Sequence, residues 1–274
     1  QAMSVRETER SIVVESDRFR YVWNRLTGVF DSLTNGQISY LDRPMEWNIW
    51  RAPTDNDRNI RREWERAGYD RTVARVYDSK AEQTDEGVVI TAELALSAIY
   101  LQRILNMKAQ WKILLDGRIH LSLHAERSPE FPFLPRFGLR MFLPRAFDSV
   151  EYFGYGPFES YSDKHRASML GKYESSVADL HEDYIRPQEN GSHCGCLHLA
   201  VSNALGGCLE AVGDNFAFNA SPYTQEELAS KAHNYELEPC GCTVLCVDYK
   251  MSGVGSNSCG PSLLPQYRLE EGRF

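Results

Sequence analysis

The 274-residue chain has no run of about 18 apolar residues, so nothing in it reads as a membrane-spanning helix. Positive charge is in deficit: 30 Lys and Arg stand against 38 Asp and Glu, a net charge of −8. Nucleic acid and anionic membranes both require clustered positive charge, so neither is an expected partner. No basic patch is interleaved with aromatics. Cysteine is missing from residues 1–193, and all seven cysteines fall in the last third: Cys194, Cys196, Cys208, Cys240, Cys242, Cys246 and Cys259. An odd count with no apolar leader argues against a secreted disulfide framework and for a reducing, cytoplasmic setting. Gln1-Ala2-Met3 is followed by polar residues 4–10; it reads as a cloning remnant and is left out of the fold reasoning.

Short catalytic signatures are also missing. There is no P-loop, no Gly-x-Ser-x-Gly, no His-Glu-x-x-His and no Cys-x-x-Cys. Gly253-Val254-Gly255 lacks the following helix that a dinucleotide site needs. The two Cys-Gly-Cys pairs, at 194–196 and 240–242, are too tightly spaced for the usual zinc knuckle. In an extended chain they place both sulfurs on one sheet face as small apolar residues, and no metal site is assigned.

What the chain does have is an ordinary globular composition, 42% hydrophobic and 25% charged, and many strand signals. Residues 11–16, 19–23, 30–33, 38–41, 87–94, 105–113 and 119–124 are short β-branched or aromatic runs. Asn35-Gly36 predicts a type I′ hairpin and Asp116-Gly117 another turn. Across 120–125 the apolar residues alternate, the mark of one buried face. Two short helices are expected. One covers 59–67 with Asp57 as N-cap and Gly68 as its stop; the other covers 225–233 with a Thr224/Glu227 capping box. The fold class is therefore all-β, a large antiparallel β-sandwich with two short helices. No repeat or Gly/Ser/Pro linker divides it, so residues 4–274 read as a single domain.

Acidic residues raise the question of a glycosidase pair, since two carboxylates facing each other across a sugar perform that chemistry. Asp55, Asp57, Glu159 and Glu189 are candidates, but nothing in the sequence pairs them, and acids in such loops more often accept backbone N–H bonds. Three segments mix aromatics, turn formers and polar groups: 50–57, 152–163 and 184–191. Aromatic faces beside Asp, Asn and Arg suit sugar binding, but long loops must satisfy their own backbone groups, and composition alone favours that stapling role.

These segments carry a resemblance. Trp50-Arg51-Ala52-Pro53-Thr54-Asp55-Asn56-Asp57 resembles the opening of the C-terminal domain of bacterial β-galactosidases of glycoside hydrolase family 2. Residues 154–163 are similar to that domain's Gly-x-Gly-Pro-x-Glu-x-Tyr-x-Asp, and residues 184–191 to its Tyr-x-x-Pro-x-Glu-Asn-Gly. Phe218-Asn219-Ala220-Ser221-Pro222-Tyr223, with His233 downstream, is similar to its Phe-Asn-x-Ser-x-Tyr and later His. Order and spacing agree from about residue 11 to the end.

The resemblance implies a supersandwich of the galactose mutarotase-like type, the small-chain region of a glycosidase acting on terminal β-D-galactosides. It implies no catalytic residue in this chain, because the family's glutamates, Mg²⁺ and monovalent cation belong to a preceding (β/α)₈ barrel. The implied partners are a β-galactoside, that barrel on the same polypeptide and, for the full enzyme, further copies of itself. The implied substrate-binding residues are Gly255, Asn257, Ser258 and Cys259, in a loop over 253–261 that walls the sugar site. Some members carry Trp where this chain has Cys259, and a thiol offers far less stacking area. The remaining motif residues are expected to be structural: Trp50 and Trp64 as core anchors, and Asp55, Asn56, Asp57, Glu159 and Glu189 as loop ties. The family also continues past Gly272-Arg273-Phe274 with one more strand. Two other readings stay open, a free-standing carbohydrate-binding module and a mutarotase-like epimerase. The epimerase needs a His acid and a Glu base in one groove, drawn from His120, His124, His165, His181, His193, His198 and His233.

Overall fold

The computed structural model describes residues 3–255 and 262–274. The described chain forms two compact units, each assembled from separated stretches of sequence. Unit 1 comprises 1–46, 64–132 and 271–274; unit 2 comprises 47–63 and 133–270. Among the described residues the strands are antiparallel and form three sheets, and no helix is long and apolar enough to cross a membrane.

Unit 1 opens with β1 (Ser4–Glu7), β2 (Ser11–Glu15), β3 (Phe19–Asn24), β4 (Phe30–Asn35) and β5 (Ile38–Ser39), paired in that order as a five-stranded sheet. β6 (Arg43–Asn48) joins the large sheet described below, and α1 (Ile60–Ala67) follows. β7 (Val73–Thr84), β8 (Gly87–Ser97), β9 (Arg103–Leu114) and β10 (Ile119–Arg127) then form a four-stranded meander. In β9, Leu105, Met107, Ala109, Trp111 and Ile113 are buried while Asn106, Lys108 and Gln110 are exposed. A period of two lets one face of the meander pack on the five-stranded sheet and the other meet water. Phe30 meets Trp111 edge-on at 5.1 Å between ring centres, and Tyr21 donates a 2.7 Å hydrogen bond to the Gly117 carbonyl. Unit 1 is thus a two-sheet sandwich. Met3 is buried within it, and its carbonyl accepts a 2.7 Å bond from Gln83.

The large sheet takes β11 (Arg136–Pro144), β12 (Ser149–Gly156), β13 (Met169–Ser176), β14 (His193–Ser202), β15 (Cys208–Ser221) and β16 (Cys242–Met251). Its order is β13-β12-β14-β15-β16-β11-β6. The second helix, α2 (Gln225–Ser230), follows β15. Strands β11 and β16 are largely apolar and buried on both faces along most of their length.

The seven strand signals coincide with β2, β3, β4, β5, β8, β9 and β10, and the all-β antiparallel class holds. Details differ for physical reasons. Asn35 pairs with Ile38, so Gly36-Gln37 forms the hairpin turn, with only Gly36 at positive φ (60°). One glycine at the first central position fits a II′ pattern better than I′. Asp57 does not cap α1. It closes a 3-10 turn over Asp55–Asp57, where its carboxylate accepts from Thr54 N–H at 3.0 Å. Gly68 does end α1, at φ 83°. Thr224 caps α2 through a 3.1 Å bond from Glu227 N–H, but the helix stops at Ser230. The Glu236 carboxylate captures the N–H groups of Ala232 and His233, at 3.1 and 2.8 Å, and so diverts the next turn. Neither Cys-Gly-Cys is regular strand: Gly195 and Gly241 have φ of 65° and 83°.

Gly87 begins β8 at φ 150°, and a Cβ there would lie 1.9 Å from the Ile113 carbonyl oxygen. Gly87→Ala is therefore expected to cost about 2–4 kcal/mol in urea unfolding, since neither backbone can retreat without breaking the ladder. Gly36→Ala, at positive φ with open space around it, should cost only about 1–2 kcal/mol.

Candidate functional site

The conspicuous polar chemistry lies inside unit 2. It begins with two charges on apolar strands. β11 and β16 pair with Gly138 opposite Asp248, and the register shifts between Phe137 and Gly138. A Cβ on Gly138 would lie 2.7 Å from the Asp248 carboxylate. Arg136 and Asp248 are both buried, so each must find its partners inside the protein. Arg136 Nη2 donates to Asp248 Oδ2 at 2.7 Å and to Asn219 Oδ1 at 2.7 Å. Its Nη1 reaches Glu189 Oε2 at 3.3 Å. The other Glu189 oxygen accepts from Asn219 Nδ2 at 2.8 Å and from Tyr161 Oη at 3.3 Å. Burial pushes both carboxyl groups upward, and the Arg136 charge opposes that rise. Burial lowers the pKa of Arg136, but Asp248 and the neighbouring acids outweigh it and hold the guanidinium charged.

A second ion pair lies in the same unit. Arg51, fully buried, forks onto Asp57 through Nε–Oδ2 at 3.0 Å and Nη2–Oδ1 at 2.8 Å. Its remaining donors point at main chain: Nη1 to the Ser252 carbonyl and Nη2 to the Gly253 carbonyl, the latter at 2.9 Å. Asn56 Nδ2 donates to the Val254 carbonyl at 3.0 Å. From another segment, Asp163 accepts the next two amides, Val254 N–H on Oδ1 at 3.0 Å and Gly255 N–H on Oδ2 at 2.8 Å. Residues 252–255 lie outside the strands, yet one buried side chain, Arg51, and two half-buried ones, Asn56 and Asp163, meet their polar groups one after another.

Glu159 completes the set. It accepts from Lys164 at 2.8 Å, from Gly191 N–H at 2.9 Å and from the Tyr184 hydroxyl. Glu189 N–H donates to the Ala52 carbonyl at 3.0 Å. The polar segments named from the sequence are thus interlocked: residues 51–57, 159–163 and 189–191, with Asn219 between them.

Asn56, Asp57, Glu159 and Glu189 tie loops, as the sequence led us to expect. Asp55 is exposed, and only its N–H reaches Gln188, at 3.4 Å. Trp50 and Trp64 are buried. Of the sugar-site residues named from the resemblance, Gly255 is held at φ 81° with its N–H on Asp163. Asn257, Ser258 and Cys259 lie outside the described residues. Sequence reasoning missed Arg136 and Asp248. The available signal was charged residues set among apolar ones, Arg136 and Arg140 in 136–144 and Asp248 in 242–251, where a buried charge demands an opposite partner.

The histidines do not assemble a groove. His193 is buried, packed on Tyr152 and Phe218, with Nδ1 2.9 Å from the Tyr155 carbonyl, which places its proton on Nδ1. His198 lies 3.3 Å from Glu210, His233 3.5 Å from Glu236 and His124 3.8 Å from Glu126. These Glu neighbours were not evident from the sequence, and all three are solvent-accessible surface pairs. Among the described residues, no group of three His, Cys, Asp or Glu side chains is arranged to hold a metal ion.

A family model described as "Beta galactosidase small chain" matches residues 15–274. The chain belongs to that family. It is 45% identical over 270 residues to a beta-galactosidase of Actinobacillus pleuropneumoniae, covering 98% of this chain and 26% of that protein. To a beta-galactosidase of Staphylococcus xylosus it is 35% identical over 266 residues, covering 97% and 27%. The chain therefore spans about a quarter of the length of these curated relatives. Among solved structures, a galactose mutarotase-like protein from Lactobacillus casei aligns over 96% of this chain and 94% of that one, with a TM-score of 0.45 and 10% identity.

Two outcomes follow for this small-chain domain. Arg136→Ala leaves Asp248 and Glu189 buried without their counter-charge and is expected to cost about 3–5 kcal/mol by urea unfolding. Burial holds the His193 pKa below its ordinary 6.5. The folded ring stays neutral while the unfolded one takes up a proton near pH 6.5, so the unfolding free energy is full above that pH. It falls as pH drops toward the depressed folded-state value. His193→Gln should lose less stability over that interval, and His181, also lowered by burial, should account for part of what remains.

Proposed function

We propose that the chain is the non-catalytic small-chain part of a β-galactosidase of glycoside hydrolase family 2. In this reading the full enzyme cleaves terminal β-D-galactosides with retention, and residues 253–261 wall its sugar subsite. The acid and nucleophile glutamates, Mg²⁺ and a monovalent cation sit on a barrel elsewhere on the same cytoplasmic, homo-oligomeric polypeptide.

The observation that carries the reading is the holding of Ser252–Gly255. Arg51, Asn56 and Asp163 bond four consecutive residues outside the strands, the last three of which open the segment that the family resemblance assigns to the sugar. A subsite wall needs that kind of support, because a displacement of about 1 Å is enough to spoil substrate geometry.

The buried acids also support a non-catalytic role. Retaining hydrolysis needs two carboxyl groups about 5–5.5 Å apart, facing across an open sugar site. Asp57 is forked by Arg51, while Asp248 and Glu189 share Arg136 inside the protein. Each is already engaged and shut off from solvent. The same engagement leaves no free carboxylate pair among them to receive a divalent cation.

The test is hydrolysis of a chromogenic galactoside. The chain alone is expected to show no turnover above buffer, whereas the full-length polypeptide turns over; turnover by the chain alone would refute the proposal. Calorimetry of the chain with millimolar galactose or lactose should show no heat, and measurable binding would favour an independent carbohydrate-binding module.

A further inference from the structure

We propose that β13 pairs with β13 of a second copy of this chain across a two-fold axis at Tyr173, so that one sheet runs through two protomers. The inference rests on the homo-oligomer read above, names a surface for it, and uses nothing of the sugar-site reading.

Each of the three sheets ends in two edge strands, and an unblocked edge is a row of open N–H and C=O groups ready to pair with another chain. Among the described residues, five of the six edges are blunted. β1 has four residues and β5 two. β7 is broken by a bulge between Val76 and Asp78, and the Leu26 carbonyl takes its Val76 N–H at 2.8 Å. β10 is partly covered by residues 272–274: Ala125 and Phe274 exchange bonds of 2.7 and 3.0 Å, and Arg127 N–H donates to the Gly272 carbonyl at 2.9 Å. β6 carries Pro44, which has no N–H to offer. β13 is the exception. It runs for eight residues, pairs with β12 at every one without a register shift, and contains no proline. Among the described residues, no strand lies on its other side.

The sequence of β13 is complementary to itself. Leu170, Lys172, Glu174 and Ser176 share the face turned away from the core, since their neighbours along the strand stand opposite the buried Val150, Tyr152, Gly154 and Gly156. Two antiparallel copies of one strand keep like faces together only when a residue sits on the axis, because a shift of one sets opposite faces against each other. An axis at Lys172 opposes two ammonium groups, and an axis at Glu174 opposes two carboxylates. An axis at Gly171 leaves Lys172 facing Leu170. An axis at Tyr173 places Lys172 opposite the partner's Glu174 and Glu174 opposite the partner's Lys172. Charge therefore selects one register.

That register also answers a misplaced charge. Within one protomer Glu174 stands directly opposite Glu151, and like charges in that position are unfavourable. Lys172 is engaged with Glu151 at 3.0 Å. A second ammonium arriving from across the axis meets the carboxylate that the protomer leaves facing its own kind. At the start of the edge, Phe158, Met169 and Leu170 are 58, 74 and 53% exposed, and the Phe158 carbonyl accepts from Ser168 Oγ at 3.0 Å. The two-fold sets this apolar group at each end of the paired strands, which adds apolar area to the ladder.

The test is sedimentation of the full-length polypeptide over a dilution series, with a melting temperature to show that each variant is folded. Lys172→Glu and Glu174→Lys each turn two cross-strand attractions into two repulsions. Each should raise the dissociation constant of this contact about thirtyfold and halve the sedimenting mass where the unaltered protein is assembled. The combined variant Lys172→Glu/Glu174→Lys restores both pairs and should assemble within about threefold of the unaltered protein. Single variants that assemble normally would overturn the proposal, as would a combined variant weaker than either single one. Lys172→Cys, treated with a maleimide and read by peptide mass, should be protected in the assembled protein and react once it is diluted to protomers. Protection at every dilution would mean that the polypeptide's own remaining domains cover the edge, and the proposal fails. A full-length polypeptide that sediments as a monomer throughout refutes the homo-oligomer itself. Assembly indifferent to both charge reversals leaves the homo-oligomer standing and refutes only its placement at β13.

Discussion

A guanidinium cannot shed its proton, and at Arg136 it has no bulk water to bind. Unit 2 is organised around satisfying it. Asp248 on the adjacent strand supplies two oxygens, Asn219 a carbonyl oxygen and Glu189 a carboxylate oxygen. These partners come from β16, from β15 and from the loop over 184–191. One buried charge thus fixes the relative placement of two strands and a long loop. The desolvation of such a group costs several kcal/mol, so the cluster is better understood as specifying one arrangement than as adding net stability.

From Glu189 the network runs outward. Tyr161 and Asn219 bond its second oxygen, and its own N–H bonds the Ala52 carbonyl. Ala52 adjoins Arg51, whose guanidinium is spent on Asp57 and on the carbonyls of Ser252 and Gly253. Buried polar contacts, joined through the Arg51–Ala52 backbone, therefore run from Asp248 to the carbonyls of Ser252 and Gly253, and half-buried Asn56 and Asp163 hold Val254 and Gly255 beyond them. Loops held by charge-assisted bonds in low dielectric do not exchange conformations as solvated loops do. That rigidity suits a segment whose proposed work is to present a fixed wall to a sugar.

Much of this was legible in the residues. Alternation in 120–125, the β-branched runs and the Asp116-Gly117 turn are local features, and local sterics decide them. β7 escaped notice because Val73–Thr84 is mostly polar; it is a strand because β8 pairs along it through eleven positions, not because its own side chains favour one. The two units escaped a linker search because each is built from separated stretches, so no single boundary exists to be seen. The motif residues could be named as loop ties, but not matched to their partners. Asp57 and Asp55 are two positions apart in one motif; one is forked by Arg51 and the other faces solvent.

The sequence by itself determined the β class, the turn positions, the loop-stapling chemistry and, through four ordered motifs, the family. Those rest on short-range backbone preferences and on residue identities that a linear reading contains. Only the tertiary structure decided that Arg136 answers Asp248, and that Asp163 receives the amides of Val254 and Gly255. The reason is sequence separation: the partners lie about a hundred residues apart, 112 for Arg136 and Asp248 and 91 for Asp163 and Val254. Which of many acids meets which amide is settled by strand order and burial, not by anything adjacent in the chain.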